Sequence, residues 1–140
     1  MLSSVHPAPL PAASYELLDS ARHGLTEAAT TTVPGERYAA AHLASLRAAA
    51  AVLASRARPG AARRGPRSVW SVLPQIAPEL GEWAAFFAAG ANKRAAAEAG
   101  LTGVVSAREA DDLLRDSANF VAIVEAACGV LHQPAFPLVG

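Results

Sequence analysis

The chain has 140 residues, which fits one domain. At 52% hydrophobic and 17% charged it can bury a core, and its composition excludes a disordered chain. Twelve Lys and Arg against twelve Asp and Glu give a formal net charge of +0, which excludes a whole-chain field of the kind that gathers nucleic acid. Alanine dominates the apolar share, and alanine loses no side-chain entropy in a helix. β-branched and aromatic residues are sparse and do not alternate, so strands are not expected.

Residues 1–13 read as a flexible tail, because Pro7, Pro9 and Pro11 oppose a helix. This stretch has no positive n-region and does not read as a signal peptide. Ser14 to about Thr30 reads as the first helix, with Tyr15, Leu18, Ala21 and Leu25 at helical spacing. The Thr30–Gly35 stretch is expected to end it. Glu36 to about Arg58 is the second helix, with Tyr38, His42, Ser45, Leu46, Ala49, Val52 and Leu53 on one arc. Pro59 and Gly60 stop it, and a basic loop follows, with Arg63, Arg64 and then Arg67. Ser68–Leu73 makes a short helical turn that Pro74 is expected to break.

Pro78 to about Ala99 is the third long helix. Proline suits its first position, and Glu79 and Glu82 suit the positive end of the helix dipole. Leu80, Trp83, Ala84, Phe87 and Ala91 form its stripe, with Phe86 to one side. Ser106 to about Cys128 is the last helix, opened by a capping box of Ser106 and Glu109. Its stripe is Ala110, Leu113, Leu114, Ser117, Val121, Val124 and Cys128, and Gly129 ends it. Residues 130–140 read as a loose tail. Long helices with short connections predict an all-α, up-and-down antiparallel bundle of about four main helices plus a short extra one, over residues 14–129.

Chemistry-bearing motifs are few. There is no P-loop, no glycine-rich dinucleotide turn and no metal-ligand spacing among the four histidines, so neither a cofactor nor a metal is expected. Cys128 is a single cysteine on an apolar stripe and reads as a structural thiol. Asp111, Asp112 and Asp116 lie on the polar side of the last helix beside Arg115 and read as a solvated face. The cluster Arg56, Arg58, Arg63, Arg64 and Arg67 has two readings, a soluble interhelical loop or a holder of RNA or nucleotide phosphate. Phe86, off its stripe, is a candidate for a homodimer surface. No apolar run spans a membrane, and the expected location is the cytoplasm.

The most specific stretch is Glu36-Arg37-Tyr38-Ala39-Ala40-Ala41-His42, an arginine followed after four residues by a histidine. With Ser68-Val69-Trp70, Pro78–Phe87 and Ala107–Leu114, it resembles the HEPN superfamily of small helical bundles, and in particular an actinobacterial HEPN-like family. The resemblance covers most of the chain after about residue 14. Many HEPN proteins are RNases of toxin–antitoxin and defence systems. The resemblance therefore implies metal-independent RNA cleavage across a dimer interface, with Arg37 binding phosphate and His42 as acid/base. On one regular helix, however, the five-residue step sets Arg37 and His42 roughly 140° apart, with His42 in the apolar arc. Three functions follow from the sequence. One is a non-catalytic HEPN-like domain that binds itself, another protein or RNA. The second is an endoribonuclease using Arg37 and His42. The last is the ligand-binding or dimerisation module of a regulator, for which no DNA-reading helix-turn-helix precedes the bundle.

Overall fold

A computed structural model describes residues 9–56 and 66–130, the side chains of 66–68 excepted. Among these residues five α-helices follow one another: α1 Ala12–Thr30, α2 Pro34–Arg56, α3 Pro66–Ile76, α4 Gly81–Glu98 and α5 Ala107–Ala127. A 3-10 turn, Pro78–Leu80, leads into α4. No strand occurs among the described residues. The all-α bundle of four main helices and a shorter one is therefore what forms. No helix among the described residues is long and apolar enough to cross a membrane.

Several boundaries differ from expectation for local reasons. α1 starts two residues early, at Ala12, directly behind Pro11. Pro34 and Gly35, expected as a break, instead form the first turn of α2. A first-turn residue has no intrahelical acceptor for its N–H, so proline loses nothing there. The first turn then closes through Arg37 N–H on the Val33 carbonyl at 3.0 Å. α3 runs through Pro74 to Ile76 rather than breaking at it. Pro74 forgoes only its own N–H bond to the Trp70 carbonyl, and Ala77 N–H still reaches the Leu73 carbonyl at 2.7 Å.

α2 is the hub and packs against α1, α3, α4 and α5. Its expected arc is buried, and so are Ala41, Ala44, Ala48 and Ala51. The added alanines let α1 approach closely. A Cβ on Gly24 of α1 would stand 3.3 Å from Ala44 Cβ, so the seam is closed around a glycine. Ser14 rather than Tyr15 enters this seam. Its hydroxyl donates to the Ala51 carbonyl at 3.0 Å, whereas Tyr15 is 50% exposed.

The opposite half is built on large rings. Phe87 of α4 lies 5.1 Å from both Trp70 of α3 and Phe120 of α5. Phe120 is fully buried although it lies outside the expected stripe of the last helix. The capping box forms as expected. Ser106 Oγ accepts from Glu109 N–H, and Glu109 Oε1 accepts from Ser106 N–H, both at 3.0 Å. Gly100 and Gly129 follow α4 and α5 with φ of 80° and 73°, the left-handed conformation that stops a helix.

Truncating the ring shared by three helices tests this core. Phe120→Ala is expected to lower the unfolding free energy by about 3–5 kcal/mol in chemical denaturation. A loss under ~1 kcal/mol would contradict the packing.

Candidate functional site

His42 is the polar centre of the bundle, with 0% of its surface exposed. It projects from α2 toward α4. Its Nε2 donates to the Phe87 carbonyl at 2.8 Å, which assigns the proton to Nε2 and leaves Nδ1 as an acceptor. Arg94 Nη1 faces that Nδ1 at 3.5 Å, a long and weak contact. Tyr38, one turn earlier on α2, stacks on the imidazole at 6.4 Å. Trp70 and Phe87 meet it edge-on at 6.0 and 5.8 Å. Burial pushes the imidazole pKa below its ordinary value of 6.5; the Phe87 bond opposes this and the Arg94 charge adds to it. The ring is held neutral.

Gly90 permits this closeness. A Cβ there would lie 2.7 Å from the Tyr38 hydroxyl and 3.4 Å from His42 Cδ2. Desolvation also raises the pKa of the Tyr38 phenol.

Arg37 points elsewhere. Its Nε donates to the Ala28 carbonyl at 2.9 Å and its Nη2 to the Thr31 carbonyl at 2.8 Å. Its Nη1 pairs with Asp111 of α5. The guanidinium thus closes the open carbonyl end of α1 and ties it to α5. The arginine that the fold brings to His42 is Arg94, which lies in the Asn92-Lys93-Arg94 break of an alanine-rich helix. That polar break in the α4 pattern was the one available signal for it.

The other candidate residues are scattered. Arg58, Arg63 and Arg64 lie outside the described residues, as does the side chain of Arg67. Arg56 pairs with Glu79 at 2.7 Å. Asp112 faces Arg115 and Arg108, so the acidic run on α5 is largely an ion-paired surface. Asp116 is the exception. With Glu82, Trp83 and Phe86 of α4 it lines a cleft of about 440 Å³ between α4 and α5. No group of three or more His, Cys, Asp or Glu side chains among the described residues could hold a metal ion. Burial raises the pKa of the Cys128 thiol, which is half-buried at the end of α5.

Residues 28–125 match the SAV_6107-like HEPN family, a span that runs from the end of α1 through α2, α3 and α4 and covers all but the last two residues of α5. The chain belongs to that family. No curated protein and no solved structure matches it.

The buried neutral imidazole has a pH signature. Unfolded chains bind the His42 proton near 6.5 and the folded state binds it only at lower pH, so acidification favours unfolding. Stability is expected to be full above 6.5 and to fall as pH drops below it, at up to ~1.4 kcal/mol per pH unit for this one proton. Denaturation midpoints across pH 7 to 5 check this, at roughly the titration range of an imidazole. His42→Gln keeps an N–H donor and should flatten the slope, whereas an unchanged slope would contradict the assignment.

Proposed function

We propose that this HEPN domain is non-catalytic and works as a protein-interaction module. One observation carries the reading: both members of the arginine–histidine pair are committed to the fold. His42 is enclosed, with its only N–H on the Phe87 carbonyl. Arg37 spends its donors on Ala28, Thr31 and Asp111. RNA cleavage by such a pair needs an imidazole nitrogen that exchanges a proton with substrate, and a guanidinium free to meet phosphate.

Among the described residues, charge pairing favours protein over RNA as the partner. Arg22, Arg37, Arg56, Lys93, Arg94, Arg108 and Arg115 each face a carboxylate. Among the described side chains only Arg47 has no such partner. RNA affinity comes mainly from cations that neutralise phosphates, and most of the described cations already face a carboxylate. The surface between α4 and α5 is instead aromatic and acidic, with Phe86 and Glu82 exposed and Trp83 and Asp116 half-buried.

The test is incubation of the purified protein with structured and single-stranded RNAs in a chelating buffer. Every RNA is expected to remain intact. His42→Ala is expected to lower the unfolding free energy by about 1–3 kcal/mol, because it opens the core. RNA cleavage by the wild type that disappears in a His42→Ala variant of unchanged stability would overturn the proposal in favour of an endoribonuclease.

A further inference from the structure

The cleft between α4 and α5 has a composition that the core does not require. Trp83 and Phe86 lie one turn apart on α4 and meet edge to face, with centroids 6.4 Å apart and planes at 89°. Trp83 is held from behind, parallel to Phe87 at 6.0 Å and tilted on Phe120 at 5.5 Å. The indole is therefore a fixed wall, and a wall that needs no ordering on binding favours affinity. Phe86 leaves 45% of its surface in solvent. Among the described residues, Glu82 of α4 and Asp116 of α5 also line it.

The two carboxylates differ from their neighbours. Glu79, one turn before Glu82, pairs with Arg56, and Asp112, one turn before Asp116, pairs with Arg115. Glu82 and Asp116 have no hydrogen-bond or ion-pair partner among the described residues. Their cleft, at about 440 Å³, is within the ~300–1,000 Å³ typical of ligand sites and admits one large side chain.

We propose that this cleft binds an arginine side chain presented by a partner protein. A purely apolar occupant would take two carboxylates out of water with nothing to pair them, which is costly. A phosphate would be repelled by both. A cation removes that cost, and the aromatic pair adds attraction over the ring face. Guanidinium suits the site better than ammonium. It is planar enough to lie along the indole, is weakly hydrated, and forks its N–H donors between carboxylate acceptors. The inference rests on the reading of the domain as a protein-interaction module and names the partner chemistry of its surface.

The experiment titrates isotope-labelled full-length protein with the blocked tripeptide acetyl-Ala-Arg-Ala-amide, followed by NMR. A parallel titration uses the lysine counterpart. Shifts are expected at α4 and α5 amides around the cleft and at the Trp83 indole N–H. The arginine peptide should bind several-fold tighter than the lysine one. Glu82→Gln with Asp116→Asn should weaken it about tenfold, and Phe86→Ala by a similar factor. All of these side chains are at least partly solvent-exposed, so amide spectra of the variants should otherwise match the wild type. Absence of shifts at millimolar peptide, equal affinity for the two peptides, or wild-type affinity in the double carboxylate variant would each overturn the proposal. RNase activity in a protein that still binds the arginine peptide would sink the non-catalytic reading and leave the cleft standing. Neither cleavage nor peptide binding would sink the cleft alone.

Discussion

Burying an imidazole is tolerable only if its N–H finds an acceptor, and in this bundle the acceptor is the Phe87 carbonyl of α4. That bond fixes the height of α4 along α2. It leaves Gly90 against Tyr38, where a Cβ would stand 2.7 Å from the phenol oxygen and force a shift. It also sets Phe87 at the centre of the aromatic cluster, between Trp70 and Phe120. α3 and α5 take their positions from those rings. A lost or displaced His42 would therefore disturb four helices.

The two halves of the molecule pack by different means. Between α1 and α2 the backbones come close where Gly24 meets Ala44 and Ser14 meets Ala51. Among α3, α4 and α5 the space is filled by rings instead. Charged side chains tie the halves together. Arg22 grips the buried Glu125 of α5 through two of its nitrogens, and Arg37 joins the end of α1 to Asp111. Breaking a buried pair by removing one partner strands the other charge, commonly at ~3–5 kcal/mol. The motif that resembles a ribonuclease site thus serves two structural purposes, with the histidine inside the core and the arginine at a helix end.

Features governed by short-range physics were legible in the sequence. The capping box at Ser106, the glycine stops and the buried arc of α2 depend on residues within a few positions of one another, and each appears as expected. Residues whose roles depend on distant neighbours were not. Tyr15 and Ser14 are adjacent on α1, and only the closeness of α2 selects the smaller one for burial. Phe120 lies at the edge of an aliphatic stripe on α5, and it is drawn inward by rings from α3 and α4. Arg94 reaches His42 across 52 positions of sequence. The cleft was half legible. Phe86 stood out as an aromatic off its stripe, but the isolation of Glu82 and Asp116 depends on which arginines the fold gives to their neighbours.

The central claim is that His42 is a neutral core residue with its proton on Nε2. Long-range nitrogen–proton NMR of the imidazole reads both the tautomer and the titration in one experiment. The account predicts the Nε2–H form at neutral pH, a slowly exchanging ring proton, and a titration midpoint below the ordinary 6.5. A ring that exchanges freely, occupies both tautomers and titrates at or above that value would show an accessible imidazole and contradict the account.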